Sequence, residues 1–208
     1  MRAFFSAMIL TALVWSFNPV AIAGLNEGID AYHEGRYGAA LKELRPLAEE
    51  NLPEAQFYLG VMYAKGRGVP QDFQKSVHWY RLAADQGFSK AMSNLGRMYS
   101  KGYGVPKDYA QAIHWYEEAA QQQLPEAQYN LGVMYKEGQG VARDLVQAHM
   151  WFNLATSQGH REAHRARILV SRMMTPDQIS AAQKLAREWR ETKESCLQSS
   201  SLHDSNCP

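Results

Sequence analysis

The chain has 208 residues, enough for one compact domain or one short repeat array. Its content of 46% hydrophobic and 21% charged residues is that of an ordered soluble protein and excludes disorder over most of the length. Lys+Arg number 22 and Asp+Glu 21, a balance that excludes nucleic acid and anionic membrane as partners sought by general charge.

Residues 1–23 form a segment of their own kind. Arg2 precedes the largely apolar run Ala3 to Trp15, Asn18-Pro19 reads as a helix breaker, and Ala21-Ile22-Ala23 supplies small residues for signal peptidase. The expectation is a bacterial-type signal peptide cleaved between Ala23 and Gly24, which sends the mature protein to the periplasm. An apolar run this short falls well below the roughly 20 residues a membrane helix needs, so no membrane span is expected after cleavage. No cysteine follows the cleavage point, which disfavours a lipid anchor.

From residue 53 the chain repeats itself with a period of 36 residues, over 53–88, 89–124 and 125–160. Twelve positions are identical in all three copies, among them Ala55/Ala91/Ala127, Leu59/Leu95/Leu131, Gly60/Gly96/Gly132, Tyr63/Tyr99/Tyr135 and Trp79/Trp115/Trp151. A fixed period in this range means stacked supersecondary units. Each unit reads as two helices. Pro53 and Pro125 suit a first helical position, where the missing N–H costs nothing. Ala55, Leu59, Met62 and Tyr63 then share one apolar face. Gly66-x-Gly68-Val69 interrupts the pattern, and Asp72 is placed to cap the second helix. That helix carries Val77, Tyr80 and Ala84 on one stripe, with Trp79 and Ala83 alongside. Gly87 and Gly159 are placed to end it in a left-handed conformation. No stretch alternates at period two, so no sheet is expected.

The pattern A-x-x-x-L-G-x-M-Y-x-x-G-x-G-V-x-x-D, followed by W-Y and A-A, resembles the Sel1-like repeat, a relative of the tetratricopeptide repeat. The fold expected is all-α: an α-solenoid of antiparallel helix pairs, about five of them. Gly28, Gly35, Tyr37 and Ala40 are spaced as in a tetratricopeptide unit, which makes residues 24–52 an N-terminal helix pair. Residues 161–194 read as C-terminal capping helices: a degenerate one from Glu162 to Met174, then one opened by the capping-box pattern Thr175-Pro176-Asp177-Gln178. The latter carries Ile179, Ala182, Ala186 and Trp189 on one face. Residues 195–208 read as a flexible polar tail. It contains Cys196 and nearby Cys207, for which a disulfide, an intermolecular link and free thiols all stay open.

A side chain identical in three copies serves the fold, since one active site does not need three equivalents. The Gly-x-Gly loops follow no strand and do not continue into a Gly-Lys-Ser/Thr phosphate cradle. Asp72, Asp108 and Asp144 read as caps. His78 and His114 adjoin tryptophans, and His160-Arg-Glu-Ala-His164 is not the zinc-protease pattern. No third ligand lies at useful spacing, so neither a metal nor a cofactor is expected. No Ser, Cys or Lys nucleophile has an identifiable base partner. The Trp-Tyr pairs read as inter-helix core, and the excess of basic residues in 161–190 as a solvated helix face. A non-enzymatic protein follows.

Resemblance to the Sel1-like family implies an interaction scaffold holding a protein or peptide ligand in its concave groove. It leaves two alternatives, a cell-wall or β-lactam-directed hydrolase and a periplasmic regulator of a membrane sensor. On the first helix of each unit, positions 54, 57, 61, 64 and 65 point away from the identical face and vary between copies. They correspond to groove-lining positions of tetratricopeptide proteins. The groove expected from them has Lys65, Arg97, Lys101 and Lys136 as charged residues and Phe57, Val61, Tyr129 and Val133 as apolar ones.

Overall fold

The computed structural model describes residues 19–200. Ten helices follow in order: α1 (Pro19–His33), α2 (Tyr37–Glu49), α3 (Pro53–Lys65), α4 (Phe73–Asp85), α5 (Ser89–Lys101), α6 (Tyr109–Gln121), α7 (Pro125–Glu137), α8 (Leu145–Ser157), α9 (Arg161–Ser171) and α10 (Pro176–Ser200). The first eight pack as four successive pairs, each pair leaning on the next, so one core runs from Ala31 through Leu154 and takes in Ala186 of α10. This is the expected α-solenoid, and no strand occurs among the described residues.

Local chemistry sets the helix ends. Pro53 and Pro125 open α3 and α7, while Gly66, Gly102 and Gly138 close α3, α5 and α7 at φ of 65°, 72° and 70°. Asp72 accepts from the Lys75 N–H at 2.9 Å, Asp108 from Ala110 and Gln111, and Asp144 from Val146 and Gln147. These carboxylates satisfy amides that the helix itself leaves unpaired. The shared Gly60, Gly96 and Gly132 have a different task. A Cβ there would lie 2.5, 2.8 and 2.5 Å from the rings of Tyr80, Tyr116 and Phe152, so glycine is what lets the two helices of a pair close on an aromatic ring.

Seams between units are sewn by buried glutamines. Gln86 donates to Gln56 Oε1 at 2.8 Å and Gln158 to Gln128 Oε1 at 2.9 Å. In the middle seam Met92 replaces the acceptor, and Gln122 turns to the Gly87 carbonyl at 2.9 Å.

Three expectations need correction. First, α9 and α10 do not form a fifth pair; each packs separately on α8. Met150 and Leu154 flank Trp151, where the second repeat has His114 and Glu118, so α8 is apolar on its outer side as well and needs α10 to cover it. Second, the tail boundary at 195 is not structural, because α10 continues to Ser200. Third, the tryptophans of the Trp-Tyr pairs are enclosed unequally. Tyr80 and Tyr116 are buried, Trp79 and Trp115 are half-buried, and Trp151 is buried with Trp189 of α10 set edge-on at 6.0 Å.

At the N-terminus, α1 starts at Pro19 and passes through Ala23 and Gly24, so the expected cleavage point lies within a helix of the full chain. The remainder of the expected leader, residues 1–18, lies outside the described residues. The capping box forms as read: Thr175 N–H donates to Gln178 Oε1 at 2.9 Å and Gln178 N–H to Thr175 Oγ1 at 3.3 Å. Among the described residues no helix is long and apolar enough to cross a membrane.

Candidate functional site: a basic cavity between α5 and α7

The variable face of α5 opens a cavity of about 340 Å³ towards α7. Arg97, Ser100 and Lys101 come from α5, Lys107 from the loop after it, Tyr109 and Tyr116 from α6, and Asn130, Val133 and Met134 from α7. Three cations and no carboxylate line it. Arg97 and Lys101 are exposed, and Arg97 donates to Asn94 Oδ1 at 3.0 Å, which fixes its stem along the helix. Lys107 lies 4.5 Å from the centre of the Tyr109 ring. Burial raises the Tyr116 phenol above its ordinary range, while a hydrogen bond with Ser100 and the Arg97 guanidinium act against the rise. Lys65 is held below the usual lysine value by partial desolvation and by Arg67 and Arg97, so positive charge crowds this side of the stack. Such a cavity suits an anionic group beside hydrogen-bonding partners.

Of the eight residues expected to line the groove, this cavity gathers Arg97, Lys101 and Val133. The others are placed differently. Phe57 lies against Tyr58, Tyr80 and Phe88 of its own unit, with ring centres 5.3 to 6.0 Å apart. Val61 is buried. Tyr129 packs on Phe152 and stacks on His160 at 4.9 Å. Lys65 is exposed outside the cavity, and Lys136 is paired with Glu137 at 2.8 Å. The variable positions therefore divide: the aromatic ones pack against other rings of their own unit, and Lys65, Arg97 and Lys101 are exposed. Ser100 joins them from the same variable face of α5, while Lys107, Tyr109 and Asn130 come from neighbouring elements, and only helix phase combined with the loop path could have pointed to those three.

The histidines also sort themselves. His160 caps α9, its Nδ1 accepting from the Ala163 N–H at 3.1 Å while Nε2 meets Glu126 at 3.0 Å. One His–Ser pair that sequence spacing did not suggest is present: His149 Nε2 lies 3.0 Å from Ser171 Oγ. Ser171 spends its proton on the Arg167 carbonyl at 2.9 Å, so the imidazole donates to the hydroxyl. That polarity is the reverse of a base activating a nucleophile. No group of three or more His, Cys, Asp or Glu among the described residues is placed to hold a metal. Cys196 lies near the end of α10, and Cys207 lies outside the described residues.

The Sel1 repeat family model matches residues 53–88, 89–124 and 125–160, more than half of the chain. The chain belongs to the Sel1 repeat family. Among solved structures it is similar to a Sel1 repeat protein from Oxalobacter formigenes, at 34% identity over 70% of this chain and 58% of that one, with a TM-score of 0.66. It is also similar to c5321, a protective antigen present in uropathogenic Escherichia coli strains that displays an SLR fold. There the identity is 30%, the coverage 82% of this chain and 45% of that one, and the TM-score 0.58. This Sel1 repeat chain thus spans less than two thirds of either relative. No curated protein matches its sequence. Sel1 repeat proteins generally act as protein-interaction scaffolds.

Proposed function

We propose that this Sel1 repeat protein is an exported scaffold of the periplasm that holds a peptide segment of a partner protein along its groove, with an acidic group of that segment in the cavity of α5 and α7. The observation that carries the reading is the convergence of Arg97, Lys101 and Lys107 on one recess without a lining carboxylate. Val133 and Met134 supply an apolar floor beside them, which matches a short acidic stretch flanked by a hydrophobic anchor. The leader-like residues 1–23 support export.

The test is capture of the partner from the envelope fraction by wild-type and Arg97→Glu protein. Arg97 is exposed, so the melting curve should not move. Binding should weaken by at least about tenfold, the loss expected when a charged hydrogen bond is replaced by repulsion. Undiminished capture by Arg97→Glu combined with Lys101→Glu overturns the groove site. A product retaining residues 1–23 in the cytoplasmic fraction overturns the location.

A further inference from the structure

Every first helix inside the stack has a neighbour on each side: α3 lies between α2 and α4, α5 between α4 and α6, and α7 between α6 and α8. The first helices at the two ends do not. Among the described residues α1 packs on α2, and α9 leans on α8 and α7 with no second helix closing on it. Each end therefore leaves bare a side that the interior units cover.

At the N-terminal end glycine fixes the register. A Cβ on Gly28 would lie 2.7 Å from the Leu44 side chain, as one on Gly60 would lie 2.5 Å from Tyr80, so α1 aligns with α3. Glu27 then takes the place of Leu59, and Asp30 that of Met62. Leu59 and Met62 are buried, whereas Glu27 and Asp30 are exposed. Neither carboxylate forms an ion pair among the described residues. The helix contains no Lys or Arg, so this bare side is acidic.

The C-terminal end has the opposite sign. Arg161 and Arg165 of α9 and Arg172 just after it share one face at about 100° per residue. All three are exposed, and none is in an ion pair among the described residues. Ile168 stands where Gly132 lets the Phe152 ring close on α7, so the usual second helix is shut out. Ile168, Leu169 and Met173 are left 41%, 56% and 53% exposed. A terminal cap needs a polar face for solubility. It needs neither three apolar side chains in water nor unpaired charges of opposite sign at the two ends.

We propose that these two ends bind each other in a second copy of the chain, the arginine face of α9 on the Glu27–Asp30 face of α1. Leu25 and Ile29, half-buried along α1, offer the apolar counterpart of Ile168 and Leu169. The contact is heterologous, so each copy keeps one end free for the next. Every residue invoked follows Ala23 and none lines the cavity of α5 and α7, so the contact is independent of the leader and of whatever the groove holds.

Sedimentation velocity on the protein as the cell processes it reads the contact. In about 20 mM salt the mean sedimentation coefficient should rise with concentration. In about 0.5 M salt, where the Debye length shrinks to about 4 Å, association should weaken by about tenfold or more. Two double variants alter exposed side chains and should melt as wild type does: Glu27→Lys with Asp30→Arg, and Arg161→Glu with Arg165→Glu. Each alone should lose about tenfold or more in association constant through like charges. Mixed in equal amounts they should regain it, because the reversed α1 then meets the reversed α9. A wild type that stays monomeric at every concentration in low salt overturns the proposal, as does a mixture that associates no better than its components. Association equal in the two salts overturns it too, and that arm stands even if a variant fails to fold. Monomer that sediments with phosphatidylglycerol vesicles gives the arginine face to a membrane and overturns it equally.

Discussion

The turn after each second helix shows how single residues depart from the pattern. Four equivalent turns hold Asn51, Gly87, Gln123 and Gly159, all at positive φ. Gln123 sits at 60°, a conformation its Cβ disfavours by roughly 1–2 kcal/mol. Nothing lies within 4 Å of a Cβ at Gly87 or Gly159, so the turn needs the angle and not the space. Gln123→Gly should therefore raise the denaturant midpoint, with a gain of about 1 kcal/mol after the added chain entropy of glycine is deducted. His149 yields a second expectation. Its folded pKa lies below the ordinary 6.5, so the unfolded chain takes up the proton first. Stability is then complete above pH 6.5 and declines as pH falls from there towards the folded pKa. Thermal melts across that window should show this decline in wild type and lack the His149 share of it in His149→Ile. The cavity beside His149 is lined by Arg167, Arg172, Ser171 and Gln183 among others, with no carboxylate. The sequence did carry a signal for His149, since Val, Ile and His align at one position; a search for clustered ligands passes over it because its partner Ser171 is 22 residues away on another helix.

Helices are where the sequence is most readable. Three copies average out accident, so the start at Pro53, the stop at Gly66 and the cap at Asp72 each have a physical cause legible in the sequence. What two-helix periodicity does not encode is which flank of a helix a neighbour will cover. Trp79, Trp115 and Trp151 are identical in sequence, yet only Trp151 is buried, because α10 arrives on that side alone. Nor does polarity end a helix. Residues Glu191 to Ser200 contain no glycine or proline, so α10 runs through a stretch that reads as tail. The variable groove positions divided for a similar reason: Phe57 and Tyr129 find rings of the second helix and the turn after it, whereas Arg97 and Lys101 keep their charges in water. Two mutations separate these levels. Gly96→Ala places a methyl 2.8 Å from the Tyr116 ring and 3.1 Å from the Ala112 carbonyl, and should cost about 1–3 kcal/mol by equilibrium unfolding. Tyr116→Ala should cost about 3–5 kcal/mol, more than Trp115→Ala in the same assay, because the tyrosine is enclosed and the tryptophan is not.

Across the whole molecule the solenoid is finished unequally. The C-terminal end is closed by two helices packed separately on α8, and Leu169 of α9 and Met173 in the turn after it are exposed. Deleting residues after Met174 should uncover Met150, Trp151 and Leu154. The expected outcome is a lower melting temperature together with self-association in sedimentation, since a new apolar patch seeks cover. A truncated chain that stays monomeric and melts as before would show that α10 contributes nothing to the stack.

Seven of the thirteen residues of α8 are buried, against five in each of α4 and α6. In a stack whose units touch only their neighbours, that difference gives unfolding a direction. Amide protons of α8 should be the last to exchange with deuterated solvent and those of α1 among the first, so the chain comes apart as a zip opened from its N-terminal end.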